Sequence, residues 1–198
     1  MAATGMNYEN GIADADGDIA ALVYSYRDRP DLVLRTFSER LAAAGRRLSG
    51  LVQLRDTRHV GQCGRVLRLD TWEIAEVGNN LDRTPNGCRL DQCWLDEMGR
   101  NAQASIQHGV DAVIVNRFGP LEAAGRGFCH AIFAASATET PLIVAVPEFE
   151  FERWTRFSNG MTVRLDCTPE DLSRWWGNVC GSGRTKLLPA SRACESYK

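Results

Sequence analysis

The segment "NRFGPLEAAGRGFCH", residues 116–130, gathers the side chains best suited to chemistry. Arg117 and Arg126 are planar cations able to grip an oxyanion bidentately. Gly119, Gly125 and Gly127 let backbone N–H groups approach an anion closely, and Asn116 adds an amide. Glu122 and His130 are the groups here that could carry protons. A second basic stretch, "SYRDRPD" (25–31), contributes Arg27 and Arg29; Arg55 follows in "QLRD", and Arg89 and Asp91 stand in "GCRLD". Phosphate, sulfate and molybdate all present oxygens that such a set could hold. The same residues also read as scaffold: glycines that permit a tight turn, arginines solvated or paired with Asp28, Asp56 or Glu122, and His130 as a half-buried helix residue. Spacing alone leaves both readings open.

These residues can meet only if the chain brings its loops to one edge. Continuous apolar runs at "IAALVY" (19–24), "LSGLVQL" (48–54), "DAVIVN" (111–116) and "PLIVAV" (141–146) have the pattern of strands covered on both faces, with "GMTVRLD" (160–166) as a late strand. Helical spacing marks "DLVLRTFSERLAAAG", residues 90–109, residues 128–137 and "EFEFERWTRF". "TPEDLSRWW" opens with Thr168 as N-cap and Pro169 at the first helical position. "RVLRLDTWEIAEV" (65–77) alternates around Asp70 and Thr71, which predicts a β-hairpin inserted in the βα rhythm. The predicted fold is therefore α/β, a mostly parallel sheet flanked by helices. It forms a single domain over 19–177 between a flexible N-terminal segment (1–18) and a C-terminal tail (178–198). In such sheets ligands bind at the carboxyl ends of the strands. The basic loops all follow strands or open helices at that edge.

Composition removes several classes. Of 198 residues, 44% are hydrophobic and 24% charged, with a formal net charge of -2, so neither a general nucleic-acid binder nor a membrane binder is expected. No apolar run approaches the roughly 20 residues that span a bilayer, and the start has no secretory pattern, so a cytoplasmic location is expected. Seven scattered cysteines do not read as a disulfide framework, and Cys88 and Cys93 lack a second ligand pair, so reduced thiols and no metal site are expected. The phosphate-loop pattern G-x-x-x-x-G-K-[ST] is absent. "CGSGRTK" (180–186) comes nearest, with Arg184 in the lysine position and a predicted helix before it in place of a strand. No Ser-His-Asp or Cys-His order stands out. Trp154, Trp175 and Trp176 suit core packing, and an exposed Trp pair would also suit a homo-oligomer contact.

"GRRLSGLVQLRD" (45–56), "GCRLD" (87–91) and "VNRFGPLEAAGRGF" (115–128) resemble a bacterial family of unknown function whose genes often lie beside molybdate transport genes, over about residues 19–177. "VIVNRFGPLE" is also similar to a segment of small P-loop nucleoside-triphosphatases. The resemblance implies a three-layer sandwich of that type. Where those hydrolases carry an acidic pair this chain has Asn116 and Arg117, and the phosphate loop is missing, so ordinary nucleotide hydrolysis lacks its parts. The arginine and glycine edge together with this resemblance leads to the expectation of an accessory protein that binds a small oxyanion or phosphorylated ligand, linked to molybdenum use, with molybdate, another oxyanion or a nucleotide as its ligand. The alternative is a nucleotide-binding enzyme in which Glu122 or His130 handles protons at an altered site. A third reading is a scaffold used only for protein contacts.

Overall fold

The computed structural model describes residues 17–54, 65–77 and 92–181. Seven strands form one sheet: β1 (Ile19–Tyr24), β2 (Leu48–Gln53), β3 (Arg65–Arg68), β4 (Ile74–Glu76), β5 (Ala112–Val115), β6 (Leu142–Pro147) and β7 (Val163–Asp166). Their order is β4-β3-β2-β5-β6-β1-β7. Five run parallel; β3 and β4 are antiparallel and extend the sheet beyond the outer side of β2. The hairpin read from the sequence is thus an extension of the main sheet.

Side-chain alternation divides the core in two. Ala21, Val23, Val113, Val115, Val144 and Val146 pack on one face with Ala102 and Ile106 of α2 (Gln92–Gln107), Ile132 of α4 (Cys129–Ala137) and Trp154 of α5 (Phe151–Phe157). Ala20, Leu22, Ala112, Ile114, Ile143 and Ala145 face the other way. There they meet Leu34 and Phe37 of α1 (Pro30–Ala43) and Leu172 and Trp175 of α6 (Pro169–Gly181). This is the three-layer α/β sandwich that the buried-strand pattern implied. The α1 crossover runs from β1 to β2 over one face, while the return crossovers lie on the other, as right-handed connections require. Because α1 and α5 leave adjacent strands toward opposite faces, the carboxyl ends of β1 and β6 form the switch point of the sheet.

Local signals act where expected. Gly45 and Gly109 close α1 and α2 at φ 76° and 78°. The Thr168 hydroxyl accepts the Asp171 N–H at 3.2 Å at the start of α6. That helix runs past residue 177 to Gly181, because Trp176 and Val179 still pack against the core. The buried indoles of Trp154 and Trp175 donate to Thr162 (3.1 Å) and to the Gly17 carbonyl (2.9 Å), so neither leaves a polar atom stranded.

Candidate functional site

Among the described residues, the loops after β1 and after β5 flank β6 at the carboxyl edge. After β1 the chain turns tightly through residues 25–29 before Pro30, which takes the first helical position of α1. Asp28 fills this turn from within: its Oδ2 accepts the Ser25 N–H at 2.7 Å and the Ser25 hydroxyl at 2.8 Å. Those bonds hold its carboxyl below the ordinary carboxylate range. Arg29 pairs with Asp31 at 3.0 Å. Arg27 is exposed, donates from Nε to the Tyr26 hydroxyl at 2.8 Å and lies over the same ring.

The second loop follows β5. Asn116 Oδ1 accepts the Gln53 N–H at 2.8 Å, tying the ends of β2 and β5 together. Arg117 is exposed and forms no ion pair among the described residues. Phe118 is fully buried, donates its N–H to the Ala145 carbonyl at 2.9 Å and packs on Trp154 and Phe157. One turn of helix, α3 (Pro120–Ala123), then interrupts what reads as an open glycine-rich loop. Gly119 is its N-cap, Pro120 sits at N1, and the Glu122 carboxylate reaches back to accept the Gly119 N–H at 3.1 Å.

Glu122 is the electrostatic centre of this loop. It is only 6% exposed. Loss of solvation by burial pushes its pKa up to about 7, against the pull of the Glu122, Phe128 and Gly119 backbone groups and the Arg117 charge. A carboxyl poised there can hold or release a proton near neutrality. It also braces the loop, since a Cβ added at Gly127 (φ 55°) would lie 2.6 Å from Glu122 Oε1. Its neighbour Cys129 is buried, and burial together with the Glu122 charge raises its thiol pKa, which disfavours the nucleophilic thiolate.

Asp96 of α2 clamps the far end of the loop. It binds Arg126 at 2.6 Å and accepts the Gly127 N–H, while Arg126 Nη1 reaches Gln92 at 3.1 Å. The approach is so close that a Cβ on Gly99 of α2 would stand 2.0 Å from the Gly127 carbonyl oxygen. Gly125 supplies the left-handed turn at φ 79°. His130 is an exposed residue of α4's first turn.

Arg27 and Arg117 therefore remain without a carboxylate partner among the described residues, whereas Arg29 and Arg126 are paired and Asn116, Gly119 and Gly127 are spent on internal bonds. Arg55, Arg89 and Asp91 lie outside the described residues. The rim is not uniformly basic: Glu148 and Glu150 follow β6, with Glu150 held by Arg153 at 3.1 Å. Among the described residues no group of three His, Cys, Asp or Glu side chains could hold a metal ion, and no helix is long and apolar enough to cross a membrane.

Asp28 and Asp96 are the residues that sequence reasoning undervalued. Asp28 had a local signal, since Ser25 stands three residues before it, the spacing at which a carboxylate can reach back to a serine N–H and hydroxyl. Asp96 had none, because its partners are thirty residues away.

A family model described as "Protein of unknown function (DUF2478)" matches residues 19–175. The chain is also 31% identical over 173 residues to the "Molybdenum import ATP-binding protein ModC 2" of Bradyrhizobium diazoefficiens. That match covers 86% of this chain and 19% of the relative, so the chain spans about a fifth of that protein's length. No solved structure matches.

Proposed function

As a chain that belongs to the DUF2478 family, this protein is, we propose, an accessory binding domain for a small oxyanion, linked to molybdenum use. The observation that carries the reading is the pair of exposed guanidinium groups at one edge that lack a carboxylate partner among the described residues, Arg27 after β1 and Arg117 after β5. The two strands flank β6, so their ends lie about 10 Å apart, a span that two arginine side chains can bridge around one tetrahedral anion. The similarity to part of a protein named for molybdenum import favours molybdate as the first ligand to try. The turn after β1 does not favour a triphosphate: it lacks glycine and lysine, and its Ser25 N–H is already given to Asp28.

The test is a thermal-shift and calorimetric series with molybdate, tungstate, sulfate, phosphate and ATP. Ligand at 100 times its dissociation constant stabilises by roughly 2.7 kcal/mol, a rise of several degrees in Tm. Arg27→Ala and Arg117→Ala should each abolish the response without lowering the unliganded Tm. Absence of any anion response, or a response indifferent to both substitutions, overturns the reading.

A nucleotide-processing enzyme is the second reading, favoured by the near-neutral Glu122 carboxyl. Phosphate release from ATP or GTP that disappears in Glu122→Gln supports it. No turnover with magnesium and either nucleotide removes it.

A further inference from the structure

The rim opposite Arg27 and Arg117 carries an open cleft of about 450 Å³. Three separate stretches form its walls: Arg46 and Arg47 from the connection after α1, Asp70 and Trp72 from the β3–β4 turn, and Ser105 and His108 from the end of α2. Strand pairing on both sides of β2 brings them together: parallel β5, with Leu48 opposite Ala112, delivers the end of α2, and antiparallel β3 delivers the turn. Leu51 stands opposite Arg68, and Leu69 donates its N–H to the Gly50 carbonyl at 3.0 Å, so the β3–β4 turn lies beside the amino end of β2.

Trp72 is unusual in this turn. Its φ is 60°, a left-handed conformation that glycine or asparagine adopts far more readily than a bulky side chain. The turn itself therefore gives no reason for tryptophan, yet the indole remains 39% exposed beside the cleft. The charged lining is also unevenly committed. Asp70 is neutralised by Arg68 at 2.8 Å and accepts the Thr71 N–H at 3.0 Å. Arg47 gives its backbone N–H to Asp111 at 2.7 Å, but its exposed guanidinium forms no ion pair among the described residues. Arg46 makes only a long contact with Asp111, 3.4 Å, and is 46% exposed. His108 Nδ1 lies 2.8 Å from the Ala104 carbonyl. A carbonyl can only accept, so Nδ1 is the donor there and Nε2 of the neutral ring is left as an acceptor for a hydroxyl or N–H.

We propose that this cleft binds a small anion built on a flat ring, of nucleoside monophosphate size, with the ring against Trp72 and the anionic group on Arg47, assisted by Arg46, while Nε2 of His108 accepts from a hydroxyl of the ligand. The volume falls within the range of small-molecule sites. An aromatic face offers stacking to a planar ring, and an unpaired guanidinium offers a bidentate grip on a phosphate. A bare oxyanion would use the arginines but leave the indole without a role. The site is independent of the edge holding Arg27 and Arg117.

Isothermal titration of the full chain with AMP, GMP, adenosine and inorganic phosphate tests the inference. Saturable binding of AMP or GMP is expected, with adenosine and phosphate each at least about tenfold weaker, since each keeps only half of the recognised features. Arg47→Gln should weaken mononucleotide binding about tenfold or more at unchanged Tm. Trp72→Phe should retain binding, and Trp72→Asn, whose residue suits the left-handed backbone, should lose it. The proposal fails if neither mononucleotide binds, if phosphate binds as tightly as AMP, or if binding survives both Arg47→Gln and Trp72→Asn.

Discussion

Glu122→Gln turns the buried carboxyl into a measurable pH dependence. The native carboxyl titrates at about 7 against an ordinary 4.5, chiefly because burial disfavours its charge. A folded pKa above the unfolded one means that the folded chain binds the proton more tightly. The Glu122 contribution to stability is therefore fully present below the unfolded pKa of 4.5, declines as pH rises toward 7, and is flat above that. At roughly 1.4 kcal/mol per pKa unit the total is about 3.5 kcal/mol, most of it falling between about pH 4.5 and pH 7. Glutamine has nearly the same shape and can still accept the Gly119 N–H, but it cannot ionise.

Urea unfolding of both proteins across that pH range gives the difference between them, in which every other titrating group cancels. Wild type should lose about 2 to 3 kcal/mol relative to Glu122→Gln from the acid end to the alkaline end. A constant offset between the curves would reflect only altered hydrogen bonding, since an amide N–H₂ meets the Phe128 N–H less well than a carboxylate does. The slope is what burial predicts. Parallel profiles would mean that the Glu122 carboxyl is solvated, and the account of the loop as a closed, desolvated turn would be wrong.

Further substitutions probe the packing of the same loop and the cap of α6 on the other face of the sheet. Gly99→Ala, whose Cβ would stand 2.0 Å from the Gly127 carbonyl oxygen, should cost about 2 to 4 kcal/mol by urea denaturation, or prevent soluble expression. Asp96→Ala should cost about 1 to 2 kcal/mol more than Arg126→Ala, because it strands the Gly127 N–H as well as breaking an exposed ion pair; equal losses would show that the backbone bond contributes nothing. Thr168→Ala removes the α6 N-cap and should lower stability by about 1 kcal/mol in the same assay.

The fold was legible wherever one periodicity dominated. β1, β5 and β6 are unbroken apolar runs because both faces are covered, and Thr168 with Pro169 announces α6. The one-turn helix α3 was legible in principle, since Gly119, Pro120 and Glu122 hold the cap, first-turn and reach-back positions of a helix start. Its glycine content made the segment look open instead. Pairings between distant segments carried no local signal: nothing near Arg126 indicates that Asp96 of another helix will hold it. The opposite cleft was illegible for the same reason, because Arg47, Trp72 and His108 become neighbours only through the pairing of β3 and of β5 with β2.

The backbone N–H groups of both loops at the carboxyl edge already face carboxylates of the chain, two from the loops themselves and one from α2, and this constrains how any ligand could bind there. Asp28 takes the Ser25 N–H, Glu122 takes that of Gly119, and Asp96 takes that of Gly127. A phosphate loop works by offering unsatisfied backbone N–H groups to the ligand, and here an incoming oxyanion would have to displace an internal carboxylate to reach one. Side chains are the remaining donors. Exposed guanidiniums bind through charge that salt screens over about 10 Å at 0.1 M ionic strength. Anion binding at Arg27 and Arg117 should therefore weaken severalfold between roughly 0.05 M and 0.5 M sodium chloride, measured by calorimetry with molybdate. Affinity unchanged across that range would point to a buried backbone cradle, and to a rearrangement in which at least one of the three carboxylates swings out.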